Sequence, residues 1–353
     1  MHRDEPTLST SDNSDQAPKR SLAPAVVLAV LAPVVGEVLM GSTRLSFIFV
    51  LLPEIMVWGC GALLAREAVR RWRGGWISLM VLGIALGVAE EFVIQQTSLA
   101  PLPWLNASHV YGRYFGVNFV WALALLVFES VWIVLVPVEF AETIFPRRQS
   151  ELWLRNRGLA TCGVIFVLGS FVAWYLWTQR ARPMVFHVEV YKPPLSYILA
   201  GVAAIVLLIL AAFALRGVGH TRTNAKGWTP PAWAIGFVAF VLGAPWFAVI
   251  GWAYGSNPQL PVRTAILAGM VWSIAAFLLF RWWTASAAWG KMHGLTAACG
   301  ALMASMAMGF LAAPWKRADL IAKIVLDLVA VVAMIFLVQR ECRSTAGQAS
   351  NLR

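Results

Sequence analysis

Apolar residues run along this chain in about ten long stretches, each separated from the next by a short polar join. A helix needs about 20 apolar residues to cross the hydrocarbon core of a bilayer. The stretches are of that length, at approximately 22–41, 45–65, 75–98, 114–139, 158–178, 195–215, 232–253, 262–283, 294–313 and 319–338. They lack the roughly ten-residue alternation of barrel strands. The pattern predicts an all-α, polytopic membrane helix bundle of about ten transmembrane helices.

Polar positions inside those runs are few, and five of them are acids: Glu37, Glu54, Glu90, Glu91 and Glu129. An ionisable side chain within a span is expensive, so each marks a protein-lined or functional position by default. At 1.5 Å per helical residue, Glu37 lies roughly 6 Å from the outer end of its span, Glu54 and Glu90 roughly 14 Å and Glu129 roughly 22 Å. Four helices therefore carry carboxyls between the outer surface and mid-membrane. Gly83, Gly87, Glu91 and Gln95 recur every four residues, a stripe of the kind along which membrane helices approach closely. Glu91 is expected to face protein for that reason. Ala29, Pro33, Glu37 and Gly41 repeat the spacing in the first span, and Asn118 is expected to share a face of the fourth span with Glu129. Pro33, Pro53 and Pro137 each remove a backbone donor, which predicts local breaks beside the acids.

Composition agrees with the pattern: 59% of the 353 residues are hydrophobic, 13% are charged and the mean hydropathy is +0.71. The net charge of +11 is spread between apolar segments, not gathered on one soluble surface, so a nucleic-acid partner is not expected. Its distribution orients the chain instead. With a cytoplasmic N-terminus, 19 of the 28 Lys and Arg residues fall on the inner side, which predicts both termini in the cytoplasm and a plasma-membrane location. Trp72, Trp76, Trp104, Trp153, Trp228, Trp282 and Trp315 fall near predicted span ends, as an interfacial aromatic belt requires.

The polar segments divide the chain further. Residues 1–21 are expected to form a disordered cytoplasmic tail, being almost devoid of large apolar side chains. Residues 22–145 form an acidic four-helix module, 146–340 an acid-poor module of six helices, and 341–353 a C-terminal tail. Outside the five acids, Glu67 is read as a solvated helix-end partner of Arg70 and Arg71, and Glu139 and Glu142 as interfacial anchors beside Arg147 and Arg148. Asp327 is paired with Lys323 one turn earlier. Cys60, Cys162, Cys299 and Cys342 show no metal-ligand spacing, so no metal site is expected.

Several carboxyls in a low-dielectric cavity cannot all ionise cheaply, so the set is a natural holder of protons or ligand for a cation. Glu90 and Glu91 are the candidate acid/base pair, with Glu91 favoured to point inward; Glu37, Glu54, Gln95, Asn118 and Glu129 are candidate binding residues. The segment Gly87-Val88-Ala89-Glu90-Glu91-Phe92-Val93-Ile94-Gln95 resembles the EExxxR motif of the CPBP intramembrane proteases, the family of CAAX prenyl endopeptidases and bacteriocin-immunity proteins. That resemblance implies a glutamate-activated water attacking a membrane peptide, with Glu90 and Glu91 as the paired acids and Gln95 at the position of the motif's arginine. First helices that carry a proline shortly before a glutamate (Pro33 and Glu37, Pro53 and Glu54), the join Gly59-Cys60-Gly61-Ala62-Leu63-Leu64-Ala65-Arg66-Glu67 and the Glu-Glu pair also resemble multi-pass bacterial membrane proteins, which implies no activity.

No HExxH, GxSxG, CxxC or P-loop pattern occurs, so the chain offers no motif for those hydrolase, redox or nucleotide chemistries, and no cofactor is expected. His109, in the loop after the third span, is the one histidine placed near the mouth of the inferred cavity. Arg44 and Arg113 are candidate counter-charges there. Three readings stand: a site for a cation or proton-coupled solute in the bilayer, a CPBP-like hydrolase, and a scaffold in which the acids only bridge helices.

Overall fold

The computed structural model describes residues 21–105, 110–218, 228–255, 260–311 and 315–350. Almost all of the predicted N-terminal tail, His109, His220 and the last three residues lie outside them. Among the described residues, ten long helices occur, one on each predicted stretch. They are α1 (Ala23–Val38), α2 (Leu45–Trp72), α3 (Trp76–Ile94), α4 (Phe119–Ile144) and α5 (Asn156–Met184). The chain continues through α6 (Leu195–Gly217), α7 (Ala232–Gly255), α8 (Val262–Thr284), α9 (Lys291–Gly309) and α10 (Arg317–Ser350). Eight of these, α2 to α8 and α10, are long and apolar enough to cross a membrane, while α1 is shorter and the Ala-, Gly- and Met-rich α9 falls outside that set. The protein is an all-α membrane helix bundle.

One boundary differs from expectation. Residues 113–118 form a small antiparallel hairpin, Arg113–Tyr114 against Val117–Asn118, and helix begins only at Phe119. Gly112, Phe115 and Gly116 all have positive φ, a left-handed backbone that glycine adopts freely and that no helix can continue through.

The first four helices close a ring, with α1 against α2 and α4, and α3 against α2 and α4. The remaining helices pack around it: α5 on α2, α6 on α3, α7, α8 and α9 on α4, and α10 on α9 and the start of α2. Burial follows this order. The most apolar windows of α2, α3 and α4 are 44%, 67% and 56% buried, against 11% to 22% in the other five spanning helices. Side chains such as Phe171, Leu207, Val271 and Phe336 therefore point outward, as lipid-facing residues must. Small residues set the inner spacing. A Cβ at Gly83 would lie 2.7 Å from Ser130 Cα, and one at Gly59 would run into the Ala29 carbonyl, so the helices meet backbone to backbone there.

Polar ties lock the ends. Arg66, 1% exposed, donates to Glu67 (2.8 Å), Glu142 (3.1 Å) and the carbonyls of Gln149 and Glu151 (both 2.7 Å), and its guanidinium lies 3.6 Å over the Trp153 ring. Glu67 is fully buried, not solvated: it accepts from Arg66, Arg71 and the backbone N–H groups of Trp153 and Leu154. The segment after α4 folds back over the end of α2 and covers it. For the same reason Trp153 is packed inside and not at an interfacial belt, and Glu142 pairs with Arg66 and Arg70, not with Arg147 and Arg148. At the opposite end α10 is fastened by Asp319, which accepts from Ser46 N and Oγ, and by Lys323, which donates to Asp327 (2.8 Å) and to the Leu39 carbonyl (2.6 Å).

Candidate functional site: a carboxyl cluster inside the helix ring

Each of the four inner helices changes character at its acid. Helix α1 is π-helical over Val34–Val38, α2 over Ile55–Gly59 directly after Glu54, α3 over Ala89–Ile94 and α4 over Glu129–Leu135. The widened turns appear as i to i−5 bonds, from Leu39 N to Val34 O (2.9 Å) and from Gln95 N to Glu90 O (2.8 Å). Such turns are rare and favour functional sites. Sequence explains three of them: Pro33, Pro53 and Pro137 sit just before or after the π segments and have no N–H to give the regular ladder. A further π segment, Tyr175–Ala181 in α5, carries no acid.

The five acids are brought together by these turns. Glu54, Glu90, Glu91 and Glu129 are buried, at 6%, 3%, 1% and 1% exposure, and Glu37 is partly exposed as a residue although its carboxyl group lies buried. Glu37 lies within electrostatic range of Glu54, Glu90 and Glu129, and Glu129 within range of Glu90 and Glu91. Glu90 and Glu91 are neighbours on α3 and both are buried.

Donors from the surrounding helices satisfy part of the cluster. Thr97 Oγ1 and Ser98 Oγ both donate to Glu91 Oε2 at 2.6 Å, Trp58 Nε1 donates to Glu129 Oε1 at 3.0 Å, and Thr43 Oγ1 donates to Glu54 Oε1. Behind Thr97 stands Trp121, whose Nε1 donates to the threonine hydroxyl at 3.4 Å. The second oxygens of Glu54 and Glu129 are buried with no hydrogen-bond partner. Leaving a buried polar atom unmatched costs about 1–3 kcal/mol, so two such atoms in one cluster require explanation.

The glycine stripe of α3 positions this arrangement. Gly83 packs on Ser130, and Gly87 on Glu129, where an added Cβ would lie 3.1 Å from the Glu129 Cβ. Two candidate residues stand apart. Gln95 ends α3 and its side chain makes no hydrogen bond among the described residues. Asn118 does not share a helical face with Glu129, because it precedes the helix as its cap: Oδ1 accepts from Trp121 N at 3.1 Å and from the Tyr254 hydroxyl at 2.6 Å. Thr43, Trp58, Thr97, Ser98 and Trp121 were not singled out from sequence. The polar run Gln95-Gln96-Thr97-Ser98 directly after the Glu-Glu helix was the available signal.

The expected counter-charges have other partners. Arg113 gives its guanidinium to the carbonyls of Leu99 (2.8 Å) and Gly116 (3.0 Å), and Arg44 lies 4.6 Å over the Trp315 ring. Of the histidines described, His187 is exposed and His293 stacks on Trp289 in the first turn of α9; neither bonds to any of the five acids. Among the described residues no three His, Cys, Asp or Glu side chains are arranged to hold a metal ion. A separate cavity of about 230 Å³ opens at the far end of α4, lined by Glu139, Glu142, Trp289, Lys291 and Glu341. The chain matches no family model, no curated protein and no solved structure.

Proposed function

We propose that the five acids form a proton-binding site inside the membrane and that the protein uses it to take up and release protons, either for its own transport cycle or with a coupled solute. The observation that carries this reading is the burial of four carboxyls from three inner helices, Glu54, Glu90, Glu91 and Glu129, with one oxygen of Glu54 and one of Glu129 lacking any hydrogen-bond partner. Protonation removes the charge of a buried carboxyl without the converging oxygen ligands that a metal requires. The π-helical turns fall at the same places, and such turns are frequent at functional sites.

In this reading the chain crosses the plasma membrane ten times with both termini in the cytoplasm, and the cluster lies in the outer half of the bilayer. The CPBP-like alternative, with Glu90 and Glu91 activating water against a membrane peptide, has less behind it. Such a base needs a partner within hydrogen-bond reach to guide its water, and neither described histidine is bonded to the acids.

Dicyclohexylcarbodiimide tests the proposal directly, because it adds to protonated carboxyl groups in apolar surroundings. The acid O–H proton moves to the carbodiimide nitrogen as the carboxyl oxygen bonds its carbon. Mass spectrometry of the reconstituted protein should find the adduct on one or more of the five acids, with yield falling as pH rises. Absence of adduct on all five at every pH would exclude the reading.

A further inference from the structure

We infer that the cavity at the far end of α4 is a second binding site, and that its ligand is a small organic cation whose primary ammonium group seats on the Glu139 carboxyl. The site is separate from the acid cluster, because Glu139 lies ten residues beyond Glu129, roughly 15 Å along the helix. About 230 Å³ is enclosed between the end of α4, the start of α9 and the end of α10. A water molecule's share of liquid volume is about 30 Å³, so the cavity has room for a molecule of several heavy atoms and is smaller than drug-sized pockets.

Glu139 is the group left without a partner. Its carboxyl lies buried against α9, with Oε1 2.6 Å from where a Cβ on Gly294 would stand, so only glycine leaves it room. It makes no hydrogen bond and no ion pair among the described residues. A buried carboxyl with no donor is costly, and this one lines a cavity. Its neighbour Glu142 is already committed, accepting from Arg66 and Arg70. Lys291 is exposed and pairs with no carboxyl among the described residues. Glu341 adds a third carboxyl to the lining, against the one ammonium of Lys291, so the field inside favours a cation.

The rest of the wall selects the kind of cation. Leu295 is fully buried and Trp289 half-buried, which gives the cavity an apolar floor and an indole wall. The indole is held in place: it stacks on His293 with ring centroids 5.4 Å apart, and His293 Nδ1 accepts from Gly290 N at 3.0 Å. An indole beside a carboxyl suits an alkylammonium, through cation–π attraction and a charge-assisted hydrogen bond. A metal ion needs several oxygens converging at short distance, and no such set of acids occurs among the described residues. The ammonium group is carried by a soluble amine or by an ethanolamine lipid headgroup, two sources of one chemistry.

Calorimetric titration of butylammonium chloride into full-length protein tests the site, with the protein held in phosphatidylcholine nanodiscs at constant ionic strength. Wild-type protein should bind it saturably, and 1-butanol should give no saturable heat. Glu139→Gln should weaken binding about tenfold or more, the scale of one hydrogen bond to a charged group. Its unfolding temperature without amine should stay at or above the wild-type value, since no partner of Glu139 is lost. Lys291→Met, which removes the competing cation, should bind severalfold more tightly. Nanodiscs containing phosphatidylethanolamine separate the two sources: a weaker apparent affinity for butylammonium identifies the lipid headgroup as ligand, and an unchanged one identifies the soluble amine. Equal binding by wild type and Glu139→Gln, or no saturable binding by wild type, would overturn the site. A lowered unfolding temperature of amine-free Glu139→Gln would overturn it by showing a structural anchor. Displacement of butylammonium by Mg²⁺ at equal ionic strength would overturn it by showing a metal site.

Discussion

The indole of Trp58 donates to Glu129 Oε1 at 3.0 Å, joining α2 to α4 across the interior of the helix ring while Glu129 Oε2 is left open. This single bond fixes which oxygen of Glu129 is committed and which is free. Trp58→Phe keeps an aromatic ring but removes the donor, so both oxygens of a buried carboxyl then lack partners. The variant should lose about 1–3 kcal/mol of stability, read as a lowered unfolding temperature in detergent, and Glu129→Gln should offset part of that loss. Equal loss in the single and double variants would show that the bond does not matter.

The end clamp around Arg66 makes a separate prediction. Glu67 accepts from two arginines and two backbone N–H groups while fully buried. Glu67→Ala leaves Arg66 with Glu142 as its remaining acid and strands the backbone N–H groups of Trp153 and Leu154, and removing one member of a buried pair costs about 3–5 kcal/mol. Expression and thermal stability should both fall sharply, whereas Glu151→Ala, at an exposed pair with Arg148, should change stability by less than about 1 kcal/mol.

Two glycines should respond in opposite directions. Gly83→Val forces α3 away from Ser130 and should destabilise by about 1–3 kcal/mol or more through overpacking. Gly163→Ala, in α5 where an added Cβ meets nothing within 4 Å, should stabilise slightly, by about 0.5–1 kcal/mol of helix preference. Equal effects at both positions would remove the argument that backbone contact at the α3–α4 seam positions Glu129.

Lys323 ties α10 to the Leu39 carbonyl and pairs with Asp327 one turn along the same helix. Lys323→Met strands the aspartate and should cost about 3–5 kcal/mol. Lys323→Met with Asp327→Leu should recover most of that loss, since a buried pair replaced by apolar side chains is often neutral. Unfolding of the four proteins in a double-mutant cycle reads the coupling.

Much of this architecture could be read from hydropathy alone. Long apolar runs became helices because nothing else satisfies backbone groups in lipid, and the α3 glycine stripe marked its seam with α4. The acids were visible as misplaced charge. What escaped were contacts made by side chains far apart in sequence: Trp58 to Glu129, Thr97 and Ser98 to Glu91, Trp153 over Arg66. Periodicity also misled at Asn118, where regular helical counting ran through a segment that glycine and positive φ convert into a hairpin. The same counting placed Glu67 in solvent, because an isolated helix carries no information about the loop that folds over it.

Infrared titration of the reconstituted protein addresses the central claim, that the five acids act as one proton-binding unit. Protonated-carboxyl intensity is recorded against pH for wild type, Glu91→Gln and Glu129→Gln. Interacting sites titrate as a set, so either substitution should displace the midpoint of the carboxyls that remain as well as remove intensity. Simple subtraction of one carboxyl's share, with the remaining titration unmoved, would contradict it.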